Sequence, residues 1–527
     1  MKKTALRTAP WVLLAACFAG YVLLMNGNID KLVDSDMATE MVYAKLLHDE
    51  GALLSQNWLF STEIRVLWGQ LFFAPLFSLT DSWHAVRVAG SALMMLSLLA
   101  AMWYLCRRLM LRKVYPYVGM LLLTPFSMEY FNIILRGQYY TVYLAASVLM
   151  LAMMVHYMQT KGSGALLLLL IAVLAVLMGM SGLRLMLTFC LPALLTAFAL
   201  YLLSLYHQGL PKEQARRFLR TGVLCFACAA VGVVIYVKGI MPNYSIGGGK
   251  NALFIGGMAE TRFTGFSLKR LEELFNQWLE LLGWQSGRLF SWTLVGNLLA
   301  GCLAVLLVMN LTRCLRRNTD VPAEHTQLAL LYGMAATVFL LFHVFTNQLM
   351  ATRYQIPVFV FLLPLLLAWF ENGSKLKWLN RLMAAGLATL VAVNGAHIYR
   401  QRVCEEDWNA QYREMAQVLQ DNGCSNAYAT FWYPGNVLTE MSNGQITTRI
   451  WNPVVEDVED FYLIGQEVRL TQTPPKGPVC LIFFDGDNVE HPLRERLSAN
   501  DILWQNENYS VYAYDSYQAL KDGLTHP

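Results

Sequence analysis

Three carboxylates fall within seven residues of Asp34-Ser-Asp-Met-Ala-Thr-Glu40, just beyond the first apolar segment. A carboxylate so placed can take the proton from a hydroxyl or amine as that group attacks, which is general base catalysis. Neighbouring carboxylates raise one another's pKa by like-charge repulsion, and a raised pKa makes a stronger base. Asp36 is the first candidate for the base. Asp34 and Glu40 are alternative bases, or the partners that tune it. The competing reading is a solvated acidic loop at the end of a membrane segment.

A base of this kind acts in transfer chemistry when cations hold the departing group, and a phosphate is the group arginine holds best. Arg353 stands in Thr352-Arg-Tyr-Gln-Ile-Pro357, at the start of a late apolar run. Arg136 lies in Leu135-Arg-Gly-Gln138 and Arg184 in Ser181-Gly-Leu-Arg184. An unpaired cation costs ~2.5–3.5 kcal/mol at full membrane depth. Arg184, between two apolar runs, therefore needs an anionic partner, either a carboxylate or a bound phosphate. Lys250 and Arg262 belong to a long loop with Gly247-Gly-Gly-Lys250. That run is not a P-loop, because it lacks the spacing and the following Ser/Thr; as a cover over a site it would offer both cations to phosphate. An Arg-Tyr pair at a membrane edge is also an ordinary interfacial anchor. Arg87, in Ala85-Val-Arg87, reads as such an anchor. His84 and His343 are the histidines that could join the acids around a metal ion.

The elements that must position these residues are membrane helices. With 56% hydrophobic residues, 14% charged and a mean hydropathy of +0.40, 527 residues are too apolar for a soluble chain. Apolar runs long enough to cross a bilayer recur about eleven times. They begin near residues 10, 88, 117, 139, 165, 185, 223, 292, 328, 357 and 383. Putting the clusters Arg107–Lys113, Lys212–Arg220, Arg313–Arg317 and Lys375–Arg381 on the inner side places the N-terminus inside and the C-terminus outside. The carboxylates then lie in a first outer loop, residues 26–85, with amphipathic stretches at Ala38–Glu50 and Ser61–Leu79. Gly51 ends the first stretch. The second is expected to lie along the membrane surface. A further outer loop, 238–288, contains the amphipathic Phe266–Leu282. Leu14-Ala-Ala-Cys17 resembles a lipoprotein cleavage box, but the apolar run continues to Met25 and reads as an uncleaved first span.

From Val403 onward, 19 Asp/Glu stand against seven Lys/Arg. An acidic tail argues against nucleic acid and against docking on anionic lipid. Strands are expected at Ala427–Trp432, Ile446–Trp451, Val479–Phe484 and Ser510–Tyr514, and helices at Asp407–Gln420 and Pro492–Asn500. Residues 399–527 thus read as an extracytoplasmic α/β domain following a transmembrane domain, 1–398. Cys225 and Cys228 form a CxxC inside an apolar run and read as packing. Of Cys404, Cys424 and Cys480 in the tail, one pair can be bridged in an oxidising compartment.

Asp36 after the first span, followed by Tyr43-Ala44 and Gly51, resembles the GT-C superfamily of integral-membrane glycosyltransferases. It resembles protein O-mannosyltransferase and lipid A aminoarabinose transferase-like enzymes. The Arg353-Tyr-x-x-Pro357 match and Phe77-Ser-Leu with Ala85-x-Arg87 extend the resemblance over roughly residues 1–370. Related enzymes often have an Arg-x-x-Asp near Arg136; here Tyr139 replaces the acid, and Glu129 is a substitute to consider. The resemblance implies a polytopic α-helical fold and an inverting transfer of sugar from a polyprenyl-phosphate donor. The acceptor would be a glycan, lipid or protein at the extracytoplasmic face of a bacterial inner membrane. Asp36 would be the base, with Arg353, Arg184, Arg136, Lys250 and Arg262 as donor-phosphate ligands. A divalent metal ion is the one cofactor the resemblance leaves open, since oligosaccharyltransferases with pyrophosphate donors need one. A lipid-linked oligosaccharide flippase and an O-antigen-type polymerase are the alternatives. A flippase would carry charges deep within its spans, and these spans have almost none.

Overall fold

The structure, a computed structural model, describes residues 2–60, 64–206, 211–246, 262–285, 292–315, 321–347, 351–372, 377–404, 406–430, 432–452, 457–458, 473–485, 497 and 502–525. The chain is a multi-pass helical membrane protein followed by a strand-containing tail. Among the described residues nine helices are long and apolar enough to cross a bilayer. They are Thr8–Leu32, Trp83–Arg108, Thr141–Gln159, Leu183–Leu205, Lys212–Asn243, Thr293–Cys314, Glu324–Phe345, Thr352–Phe370 and Asn380–Val403.

The other two expected segments take a different form. The fifth is a 15-residue helix, Ala165–Gly179. The third is interrupted: helix Tyr115–Leu122 stops short of Thr124-Pro125, and Ser127 caps a new start by accepting from the Tyr130 N–H at 3.1 Å. Phe131–Arg136 then winds as a π-helix. Proline has no N–H to give and biases the residue before it away from helix, which accounts for the break.

Helix α1 (Lys2–Leu32) leads directly into α2 (Ser35–Glu50). Asp34 has the extended backbone of an N-cap, and its side chain accepts from the Met37 N–H at 3.0 Å. Gly51 closes α2 with φ +63°, a left-handed conformation that glycine adopts without strain. Met37, Ala38, Met41 and Ala44 form one buried stripe at helical spacing. The stretch expected to lie on the membrane surface packs against the protein. Among its described residues it is helical over α3 (Gln70–Leu76), and Trp68, Phe73 and Phe77 are buried. Its aromatics pack on protein rather than lipid. Parallel pairing of β1 (Leu59–Phe60) with β2 (Ser245–Ile246) ties this loop to the second long one.

Close helix contact fixes part of the bundle. A Cβ added at Gly179 would sit 2.0 Å from the Ala229 carbonyl oxygen, and one at Gly232 would sit 2.2 Å from that of Val176. Small residues permit this backbone approach between the Ala165–Gly179 helix and the next long one.

Among its described residues the tail contains β3 (Asn426–Ala429), β4 (Thr447–Asn452), β5 (Asp457–Val458), β6 (Val479–Phe484), β7 (Ile502–Gln505) and β8 (Tyr509–Tyr514). They form a six-stranded mixed sheet of order β5-β4-β3-β6-β8-β7. Strands β4, β3 and β6 are parallel. Helix Trp432–Met441 makes the crossover from β3 to β4, where the sequence had suggested strand as far as Trp432. The described helix Ala410–Asp421 matches its expectation; most of Pro492–Asn500 lies outside the described residues. Alternate side chains divide the sheet. Cys480 and Ile482 join the core continuous with the membrane helices, whereas Val479, Leu481 and Phe483 pack beneath helix Tyr517–Thr525. Cys424 and Cys480 are the tail cysteines that meet, with Sγ atoms 2.6 Å apart; Cys404 is exposed elsewhere.

Candidate active site

The start of α2, the turn at 136–140, the junction at 181–184 and the turn at 352–355 gather at the tail end of the bundle. Asp34 is saturated there. It accepts from the Met37 N–H and from the Tyr139 hydroxyl at 2.5 Å, and it is ion-paired with Arg136. Tyr139, found where an acid was expected, therefore serves as a donor. The acid that pairs with Arg136 comes from α2 instead.

Asp36 stands in the first turn of α2 and is exposed. It occupies a recess: surrounding protein strips water from it and raises its pKa, and the Asp34 charge raises it further. The guanidiniums of Arg65, Arg353 and Arg136 are near enough to pull in the opposite direction. One turn on, Glu40 accepts from the Trp68 indole N–H and lies 4.0 Å from Arg65. Burial pushes its pKa up to about 7 against the opposing effects of Arg65, Trp68 and Arg87. Arg65 is stacked 4.0 Å over the Trp68 ring.

Arg353 sits at the start of the late membrane helix, with its guanidinium 5.6 Å from the Tyr354 ring centre. The preceding Thr352 hydroxyl donates to Glu280 at 2.8 Å, and the Trp278 N–H donates to Gln355 at 2.5 Å. The amphipathic helix Leu268–Leu281 thus braces the turn that presents Arg353. Glu129 accepts from the Arg353 backbone; burial raises its pKa, and Glu280 adds to that. Arg184 is buried between two tyrosines, 5.0 Å from the Tyr140 ring and 5.6 Å from that of Tyr354.

Arg184, Tyr140 and Tyr354 line one end of a narrow cavity with an open mouth. The rest of the wall is mostly apolar, from Leu144, Leu185, Leu187, Val338, Phe339, Phe342 and Pro357, with Tyr143, Ser147 and Thr188 among them. A cation at the head of a greasy slot suits a ligand with an anionic head and a hydrocarbon chain.

The structure therefore brings Asp34, Asp36, Glu40, Arg136 and Arg353 together, and Tyr354 links Arg353 to Arg184. Arg262 is not in this group: it is exposed and its backbone pairs with Asn347. Lys250 lies outside the described residues. His84 is bonded to Asp30 and Asn26, and His343 is buried near Arg270. Among the described residues no group of three His, Cys, Asp or Glu side chains is placed to hold a metal ion. Arg65, Trp68, Tyr139 and Tyr140 were not apparent from sequence as members of this cluster. Arg87 is not a headgroup anchor, since its side chain is 2% exposed and ion-paired with Glu440 of the tail.

No family model and no curated protein matches the sequence. Solved structures do match. The crystal structure of ArnT from Cupriavidus metallidurans bound to undecaprenyl phosphate has a TM-score of 0.58 at 15% identity, covering 96% of this chain and 98% of that one. Its apo form gives 0.59 at 14% identity with the same coverage. This likeness is one of fold: the chain shares the overall architecture of ArnT. The archaeal oligosaccharyltransferase AglB from Archaeoglobus fulgidus, in complex with an inhibitory peptide and a dolichol-phosphate, matches at 0.50 and 10% identity over 90% of this chain and 69% of that chain. Near-complete coverage by ArnT includes the tail, so the likeness of fold extends well past the residues 1–370 in which motifs were legible. Here the loop after the first span brings the acids together, and later span junctions bring the arginines to them.

Proposed function

We propose that this protein is an inverting glycosyltransferase that moves a sugar from a polyprenyl-phosphate donor to an acceptor at the extracytoplasmic face of the membrane. The observation that carries this reading is the placement of Asp36. It is exposed at the mouth of a recess, within electrostatic reach of the Arg65, Arg136 and Arg353 guanidiniums, and Tyr354, the residue after Arg353, lines the apolar cavity that holds Arg184. ArnT, which shares the fold, was crystallised with undecaprenyl phosphate.

Asp36 takes the proton from an acceptor hydroxyl or amine as that atom bonds to the anomeric carbon. The bond from that carbon to the donor phosphate oxygen breaks in line, and its electron pair leaves with the phosphate. Arg353 and Arg184 meet the charge that develops there. The recess holds Asp36 at a raised pKa, which strengthens it as a base. Asp34 is committed to its three donors and holds Arg136 in place. The isoprenoid chain would lie in the slot between Leu144, Phe339 and Pro357. The polarity of the bundle supports the orientation: Arg107, Arg108, Lys212, Arg216 and Arg313 collect at the end away from the acids, which is the cytoplasmic end by the positive-inside rule.

The test uses the full-length protein in detergent with a sugar polyprenyl phosphate and extracted membrane lipids as acceptor. Release of polyprenyl phosphate is followed by mass spectrometry. Wild type is expected to release it and Asp36→Asn to fail. Equal release by both would remove Asp36 as the base, and no release by wild type would remove the transferase reading.

A further inference from the structure

We propose that Glu440, on the tail, is a positioning residue for the carboxylates of α2, so that the tail completes the active end of the membrane domain. This inference rests on reading Asp36 as the base. The Arg87 guanidinium lies between the two regions. Its Nε and Nη2 both donate to the Glu440 carboxylate, with Nη2 to Oε2 at 2.6 Å, and Nη2 also donates to the Met37 carbonyl at 2.8 Å. Both side chains are almost wholly buried, at 2% and 5% exposure.

Met37 directly follows Asp36, and it is held at both of its backbone polar groups. Its N–H is held by Asp34 and its carbonyl by Arg87. A rotation of the first turn of α2 would move Asp36 against its three guanidiniums. Glu440 limits that rotation by fixing the plane and reach of the Arg87 fork. Two further tail residues grip the same segment. Asn436 donates to the Thr39 hydroxyl at 2.7 Å, and Asn409 donates to the Asp30 and Val33 carbonyls, each at 2.8 Å. A clamp serving attachment alone would not need to converge on residues 30–39. The sharing of Nη2 between a tail carboxylate and the α2 backbone is what makes Glu440 a control on geometry.

The experiment compares full-length wild type, Glu440→Gln and the double variant R87M/E440M by backbone hydrogen exchange and by steady-state kinetics. The double variant is included because removing one member of a buried ion pair strands the other, whereas replacing both with apolar side chains is tolerated. In both variants the amides of residues 37–41 are expected to exchange faster, while β6 and β8 keep their protection. Turnover falls on the order of 10- to 100-fold with little change in donor KM, as misplacement of a catalytic group produces. Unchanged exchange at 37–41 in both variants would overturn the proposal. Loss of protection throughout the tail in both would also overturn it, because Glu440 would then be a general anchor. The exchange result decides this inference even if the wild type moves no sugar, an outcome that counts only against the transferase reading.

Discussion

Asp34 and Asp36 lie two residues apart at the start of one helix, yet their surroundings are opposite. Asp34 accepts from a backbone N–H and a tyrosine hydroxyl and is paired with Arg136, while Asp36 faces an open recess. An N-cap side chain turns back toward the helix, whereas a residue within the first turn points away from the axis. The division of labour between scaffold and candidate base follows from that single difference of position.

Substitution should separate the two roles. Asp36→Asn is expected to lower turnover by roughly 10²–10⁴-fold, the usual contribution of a general base, with the melting temperature almost unchanged. Asp34→Asn keeps a competent N-cap but loses the ion pair with Arg136, so both melting temperature and turnover should fall. Equal thermal effects of the two changes would contradict the assignment.

The Asp36 environment also sets a pH dependence. Its pKa is raised, so kcat/KM should fall on acidification at a pH above that of an ordinary aspartate. Neutralising Arg65 as Arg65→Met removes a charge that lowers this pKa, and the acid limb should move to higher pH. A limb that stays in place in Arg65→Met would mean that another group controls it.

Glu40 gives a prediction for stability. Its pKa rises from an ordinary 4.5 to about 7 on folding, so the folded state holds a proton that the unfolded state has released. This contribution is fully present below about pH 4.5 and is lost as pH rises through about 7. Glu40→Gln should flatten that part of the melting-temperature profile, read as the difference between variant and wild type in detergent. Parallel profiles across the window would show that Glu40 is not the titrating group.

Much of this arrangement was legible in the sequence, because it depends on local pattern. Hydropathy located the spans. An aspartate before an apolar-periodic stretch closed by glycine gave α2 nearly complete. The break at Thr124-Pro125 was missed, because hydropathy reads straight through a proline. The pairings that make the site are different in kind. Glu440 meets Arg87 from the far end of the chain, and a lone Ala-x-Arg at a span start gives no hint of a partner in the tail. Arg65 and Trp68 lie in a loop whose course is set by burial of its aromatics on the bundle. Trp432-Tyr433 has strand-like composition, yet it opens a helix because parallel β3 and β4 require a crossover between them.

The cavity head supplies a test of donor recognition. Arg353→Lys keeps the charge but loses the two-pronged fork, and Arg184→Met removes a cation stacked between two tyrosines. Charge-assisted hydrogen bonds contribute about 1.5–3 kcal/mol, so donor affinity should weaken roughly 10- to 100-fold. Inhibition by free polyprenyl phosphate should weaken in parallel. Weakened transfer with unaltered inhibition would place the phosphate elsewhere.

The last prediction concerns the two tail thiols and tests which compartment holds the tail. Cys424 precedes β3 and Cys480 lies in β6, the neighbouring strand, in register with Ala427. Their sulfur atoms are 2.6 Å apart in the core. Burial and the neighbouring Cys424 both raise the Cys480 pKa, leaving little thiolate once the sheet has closed. If the tail is extracytoplasmic, the bond must form as the domain folds, with two protons and two electrons passing to a thiol–disulfide oxidase. Closing a loop between positions 56 residues apart stabilises the folded state by about 4 kcal/mol in the chain-entropy account. Non-reducing peptide mapping should recover a Cys424–Cys480 crosslink with Cys404 alkylated, and reductant should lower the melting temperature. Alkylation of all three cysteines in denaturant without reductant would leave the pair as thiols and argue for a reducing compartment.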